Sequence, residues 1–400
     1  MKNVKEIIEK RGLSRKVFEA EDGSGYVEIS SAPIHFMKNG KYEEIDTTIR
    51  KTDDGYYGES GEYEVRFSSG EEAVTCSFGD KSVTWVPECK GRRAELVELP
   101  DKKPSLKYSG KNDDLDYELG AGRLKERIVI KRPLEKYEYS FSMTLRGVSP
   151  DAKENGDISF TDTKGKEVFR IPKGYMYDSI GRRSDDVKFG LTEKEGSYRF
   201  TIIPDPDWIN SEETAFPVVI DPEMYFNEML NTGISYVNTK PGRDGPYAEL
   251  STIGEQQIIH ISNISLDISS LPDDAVITGA TLNLKQLSDN IPGFSWQLAD
   301  IYSNLVIQPM ATGSAGQVIP IDVDLPVILA AENGRSNCSL MLMPYLGNWS
   351  EGSQNTPDPD CEFPEDQNVP GQGYIEFDAL QSTFTINLNY SRRPEGVSEI

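Results

Sequence analysis

Along most of the chain apolar and polar residues alternate one for one. Tyr63, Val65 and Phe67 are spaced by Glu64 and Arg66, and Tyr198, Phe200 and Ile202 by Arg199 and Thr201. Tyr139, Phe141, Met143 and Leu145 alternate with Ser140, Ser142 and Thr144. The rhythm returns in Ala280, Leu282 and Leu284, and is sharpest in Phe384, Ile386, Leu388 and Tyr390 against Thr385, Asn387 and Asn389. Successive side chains of a strand point to opposite faces, so this period predicts strands with one face buried and one wet. Turn clusters punctuate them: EDGSG at 21–25, TDDG at 52–55 and KENGD at 153–157. Two helices are predicted. Val4, Ile7 and Ile8 predict a short N-terminal helix within 1–11. A second helix is predicted over 325–332, with Asp324 as its cap, Pro326 in its first turn and Gly334 as its stop.

A parallel sheet needs crossover helices of about ten or more residues, and almost none are present. The predicted fold is therefore all-β, with two β-sandwich-like domains behind the short helix. A chain of 400 residues suits two cores. The segment ETAFPVVIDPEM suggests the boundary: Val218–Ile220 reads as the last strand of one domain and Pro222 as its stop. The expected division is 1–11, 12–222 and 223–400. Charge changes there too. Residues 1–222 hold 36 Lys/Arg against 43 Asp/Glu, while 223–400 hold 6 against 23. So few cations argue against nucleic acid or an anionic membrane as partner. No run approaches the ~20 apolar residues of a membrane span. The opening MKNVKEIIEKRGLSRK has no apolar central run, so either a secretory signal has been trimmed away or export takes another route.

Catalytic motifs are scarce. The two histidines, His35 in PIHFM and His260 in IIHIS, sit in apolar runs that read as half-buried strand positions. There is no G-x-S-x-G before a helix, no phosphate-binding glycine loop, and no C-x-x-C or H-E-x-x-H. The expectation is no enzyme, no cofactor and no metal. A hydrolase working through carboxylates is the alternative, because 66 acidic residues leave no distinctive spacing to exclude it. The segment 351–373 is acidic and Pro-rich and reads as an exposed loop. Within it Asp358, Asp360, Glu362 and Asp366 are spaced as calcium ligands could be, against the plainer reading of a solvated loop. Cys76 with Cys89 and Cys338 with Cys361 form two local pairs, read as free thiols with disulfides as the alternative. Trp296, in PGFSWQL, reads as core. Tyr345 and Trp349, in MPYLGNWSEG, are the candidate carbohydrate-binding residues, since rings in a loop can stack on a sugar face or on a partner.

Two stretches carry family likenesses. SYVNTKPGRDGPYAELSTIG at 235–254, SLDISSLPDDAVITGATLNL at 265–284 and YIEFDALQSTFTINLNY at 374–390 resemble the DNRLRE domain family of bacterial extracellular modules. That resemblance implies a jelly-roll-like second domain akin to carbohydrate-binding modules. Ile261 stands where family members often carry a basic residue, and 351–373 looks like an insertion. NGKYEEIDTTI at 39–49, GYYGESGEYEVRF at 55–67, DLDYELGAGRLKERIVI at 114–130, FRIPKGYMYDSIGRRSDDVKFGL at 169–191 and GSYRFTIIPDPDWINSEETAFPVVIDP at 196–222 resemble the region before the repeats of wall-associated RHS-repeat proteins. Together the likenesses imply an exported or surface context and a scaffold without a catalytic role. Set against an opening with no secretory signal, the expectation is an extracellular, non-catalytic structural or adhesive protein of a bacterial surface, or of a phage or phage-tail-like particle as a virion component. Its implied partners are surface glycans and, through the N-terminal helix, neighbouring particle or wall subunits.

Overall fold

The computed structural model describes the chain apart from residues 1–3, 23, 99–103, 195, 227–232, 241–242, 244, 254–255, 270, 272–274, 289–292, 304–305, 308–309, 346–372, 379–382 and 391–400. The fold is all-β, and its strands form two compact units: Pro33–Asn231, and Met1–Ala32 together with Thr232–Ile400. The sequence expectation had assigned residues 12–32 to the first domain. The strand Ser24–Ser30 instead pairs along its whole length with Thr383–Tyr390, which carries it into the second unit.

Among the described residues the unit Pro33–Asn231 holds a separate hairpin, His35–Lys38 with Lys41–Glu44, and two large antiparallel sheets around one core. One runs in the order Val187–Lys194, Ser197–Pro204, Tyr139–Arg146, Lys81–Pro87, Val74–Phe78, Tyr63–Ser68, Gly55–Ser60, Arg50–Lys51. The other is centred on Ser105–Ser109, Asp113–Gly120, Arg123–Ile130, Glu223–Phe226 and Glu167–Ile171. The alternating apolar rows supply the filling: Val65, Phe67, Phe141 and Ile202 from the first, Leu115, Tyr117, Leu124 and Phe169 from the second. Pro222 does not end the sheet as expected. It has no N–H to give, but its carbonyl accepts from Glu126 N–H at 3.0 Å. Pairing with Arg123–Ile130 thus continues on both sides, at Ile128↔Ile220 and Leu124↔Met224.

Glu126 lies on the core side of its strand, where Tyr117 Oη donates to its carboxylate at 2.7 Å. Burial pushes its carboxyl up to about 7, against the lowering effect of the Tyr117 hydrogen bond. A carboxyl raised on folding keeps its proton longer in the folded chain than in the unfolded one. Stability therefore falls as pH rises from the unfolded value near 4.5 to about 7, by about 3 kcal/mol, and then levels off. Glu126→Gln should remove this slope. Denaturant midpoints at pH 5 and pH 8 measure it, and an equal drop in wild type and variant would refute the assignment.

In the second unit one sheet runs Val4–Glu6, Arg15–Ala20, Ser24–Ser30, Thr383–Tyr390, Ala275–Lys285, Val318–Asp322. A second runs Ile234–Asn238, Ser262–Asp267, Asn337–Pro344, Ser295–Asp300, Met310–Ala311. A third has Tyr247–Ile253 between Gln256–His260 and Gly373–Glu376. Phe384, Ile386, Leu282, Leu340 and Trp296 share the core, with Trp296 edge-on to Phe377 at 5.2 Å.

The N-terminal helix is not formed. Val4–Glu6 is an edge strand paired as Val4↔Ala20 and Glu6↔Phe18, and Ile8–Lys10 makes one 3-10 turn with no buried residue. An isolated eight-residue helix has too little to offset nucleation, whereas a waiting strand edge supplies partners at once. The Arg11–Glu6 ion pair at 2.7 Å holds the turn against that edge. Docking through an amphipathic helix is withdrawn with the helix itself. The second helix occupies Asp324–Glu332 as expected, with one difference. Asp324 accepts from Ala280 N–H in the neighbouring strand, and Val323 is the residue at the cap. Gly334, at φ +66°, lets the chain turn away. Cys76, Cys89 and Cys338 are free thiols; Cys361 and the calcium-like positions 358–366 lie outside the described residues. Among the described residues no helix is long and apolar enough to cross a membrane.

Candidate functional site

The three-stranded sheet has one face in the core, through Ala248, Leu250 and Ile375. The opposite parity places Tyr247, Glu249, His260, Tyr374 and Glu376 together on the other face. Register does the rest. Glu249 stands between His260 and Tyr374, and Tyr247 lies opposite Glu376. The Tyr247 and Tyr374 rings stack at 5.7 Å with 26° between their planes.

The loop after Ile234–Asn238 folds over this face. Asn238 Nδ2 fixes its path by donating to the carbonyls of Arg243 and Gly245, at 3.0 and 2.9 Å. Ser262 Oγ ties the strand start, accepting from Tyr247 N–H at 2.6 Å and donating to Tyr247 O at 2.7 Å. This brings the Arg243 guanidinium over Tyr247 at 4.4 Å and within 3.6 Å of the Glu376 carboxylate. Lys240 Nζ meets Glu249 at 2.5 Å.

Electrostatics divide the site into a closed floor and an open rim. Tyr247 is buried and burial raises its hydroxyl pKa, so it stays a neutral phenol. His260 is only partly covered. Burial lowers its pKa, Glu249 works against that, and Lys240 and Arg243 lower it further. The imidazole is therefore neutral at pH 7, offering one donor and one acceptor beside a carboxylate, an ammonium and a tyrosine ring. Such a rim can satisfy the hydroxyls of a polyhydroxylated ligand while a ring supports its apolar face.

Comparison with known proteins gives this structure a setting. The chain is 26% identical over 242 residues to the tRNA3(Ser)-specific nuclease WapA of Bacillus spizizenii, covering 54% of this chain and 10% of that protein. It is 27% identical over 244 residues to the tRNA nuclease WapA of Bacillus subtilis, with the same coverage. The chain is similar to WapA over its N-terminal half. It spans about a tenth of the length of these relatives. No protein-family model matches it. The N-terminal domain of the Streptococcus gordonii adhesin Sgo0707 aligns at 8% identity and a TM-score of 0.16, over 86% of this chain and 90% of that one. A Bacteroides ovatus mixed-linkage glucan utilization protein, SGBP-B, aligns at 9% and 0.15, over 94% and 83%. At those scores neither bears on fold or ligand.

The relatives correct two expectations. Their names are those of nucleases, which overturns the reading of this chain as a non-enzyme, and their named substrate is tRNA, which removes the support for excluding nucleic acid.

Of the residues singled out in the sequence, Tyr345 follows the strand Asn337–Pro344 and is half-buried, its N–H donating to Ser295 O at 2.9 Å. Trp349 lies outside the described residues. Trp296 is fully buried, as expected. His35 is also fully buried, while His260, read as a half-buried strand histidine, stands on the rim of the polar face. Lys240, Arg243, Tyr247, Glu249, Tyr374 and Glu376 escaped sequence reasoning. The alternation of Tyr247 and Glu249 with Ala248 and Leu250 was the available signal, but it does not reveal that Tyr374 is their neighbour.

Proposed function

We propose that this chain is a β-rich structural and adhesive region of a bacterial surface protein of the wall-associated kind, and that it holds a glycan on the face bearing Lys240, Glu249, His260 and Tyr374. One observation carries the reading: three strands and a loop converge polar, aromatic and neutral-imidazole groups on a single side of one sheet. The WapA match supports the surface context. Tyr345 and Trp349 remain a second proposed contact.

Glycan-array binding followed by titration calorimetry tests this. His260→Ala and Tyr374→Ala should each weaken binding about tenfold, equivalent to about 1.4 kcal/mol. Tyr345→Ala with Trp349→Ala reports on the second contact. Binding unchanged in the first two variants would reject the face, and no binding to any glycan would reject the ligand class. The match to WapA favours a second reading, participation in cleavage of tRNA. Incubating the chain with tRNA and resolving the products decides it. Contact would fall on Pro33–Asn231, where cations are plentiful enough to meet phosphates.

A further inference from the structure

The outward face of the strand Arg123–Ile130 carries Arg123, Lys125 and Arg127. Glu223 lies directly opposite Lys125 in the neighbouring strand, and Asp221 stands just across Pro222. Lys125 Nζ is 2.8 Å from Asp221 Oδ2 and 3.1 Å from Glu223 Oε1. All three side chains are nearly or fully enclosed, at 12%, 1% and 8% exposure. Tyr175 Oη donates to the same Asp221 Oδ2 at 2.8 Å. Asp221 Oδ1 is buried and has no hydrogen-bond partner among the described residues. Around them stand Arg123, 3.2 Å from Glu223, then Arg127, Tyr177, and Arg183 stacked on the Tyr175 ring at 3.7 Å.

An ion pair alone leaves this arrangement unexplained. A fully buried pair costs desolvation of both charges and here leaves one carboxylate oxygen unsatisfied. We propose that Lys125 and Asp221 become joined through their side chains by an amide bond, with Glu223 as the proton carrier. A proton passes within the pair, giving a free amine and a carboxylic acid, the neutral forms that a buried setting favours. Burial does raise the Asp221 carboxyl toward its protonated form. The opposing tendency is local: burial would lower the Lys125 pKa, but Asp221, Tyr175 and Glu223 outweigh it and hold the ammonium.

The amine nitrogen then attacks the Asp221 carboxyl carbon, and the new N–C bond forms as electrons move onto Oδ2, where the Tyr175 hydroxyl stabilises them. Glu223 takes a proton from the attacking nitrogen and delivers it to Oδ1. The carbonyl re-forms, the C–Oδ1 bond breaks and water leaves. An ammonium and a carboxylate are thereby converted to one amide and one water, with no oxidant or other reagent. Adjacent strands keep the reacting groups in contact, which replaces the activation that amide formation needs in solution.

Intact-mass measurement on the unfolded full chain tests this. The wild type should be lighter than its sequence by one water, and a protease digest should yield a branched peptide joining Lys125 to Asp221. Glu223→Gln and Lys125→Met should restore the full mass. A wild-type mass equal to that of the sequence overturns the proposal even if every variant fails to fold, and so does a Lys125→Met chain that is still one water light.

Discussion

Removal of residues 1–32 is expected to abolish folding of the unit they share with 232–400 while leaving Pro33–Asn231 folded. The strand Ser24–Ser30 pairs residue by residue with Thr383–Tyr390, and Arg15–Ala20 lies beyond it. Val17, Val27 and Ile29 enter the core at 5%, 1% and 3% exposure. Losing three such side chains costs roughly 5–9 kcal/mol, comparable to the whole stability of an ordinary domain. Deletion also bares the edge of Thr383–Tyr390, whose unpaired backbone would recruit other chains. Hydrogen exchange on a chain of residues 33–400 gives the readout. Protection should vanish at Phe384, Ile386 and Leu388 and persist at Leu115, Tyr117 and Leu124. Retained protection at 384–388 would show that the first strands are dispensable.

The second large effect is expected from Tyr63→Ala. Tyr63 is 1% exposed, with its ring stacked on Phe226 and on Phe78, each at 4.6 Å, and edge-on to Phe169 at 5.7 Å. Its hydroxyl donates to Val168 O at 3.3 Å. The ring thus bridges both sheets of its unit, and truncation leaves a cavity bordered by three aromatic rings. The expected loss is about 3–5 kcal/mol, which lowers the melting temperature of a unit this size by roughly 6–20 °C. Tyr63→Phe keeps the rings in contact and gives up one long hydrogen bond, so it should cost only about 1 kcal/mol. If the alanine variant melts with the phenylalanine variant, the stacking is not what holds the sheets together.

The strands were legible because their burial is local in origin. Period-two runs such as Tyr63–Phe67 and Phe384–Leu388 state which face is apolar without reference to their partners. The helix near 325–332 was legible for the same reason, since its proline and its terminating glycine lie in the element itself. The segment 4–10 was misread because its fate is set by Phe18–Ala20, an available edge that spacing alone does not show. The polar face was illegible for a similar cause: Tyr247 and Tyr374 meet only through strand register, and Arg243 arrives on a loop. Lys125 and Asp221 carried no signal at all. Each looks like an ordinary surface charge until Tyr175 and the neighbouring strand cover it.

The pairing of Ser24 with Asn389 also has a consequence in time. A ribosome releases the chain from its beginning, and domains made early fold while later ones are still being synthesised. The described strands of residues 33–231 pair only among themselves, so they can finish folding while the strands before them wait. Val4–Glu6, Arg15–Ala20 and Ser24–Ser30 have only one another as partners in their sheet until Thr383–Tyr390 is made, and so small a sheet with its apolar face uncovered is barely stable in water. Their apolar row of Val17, Val27 and Ile29 stays open through that interval, a standing target for chaperones. Closure of that sheet is then the last step in the folding of its unit. Its rate should be slow, as expected for contacts so distant along the chain.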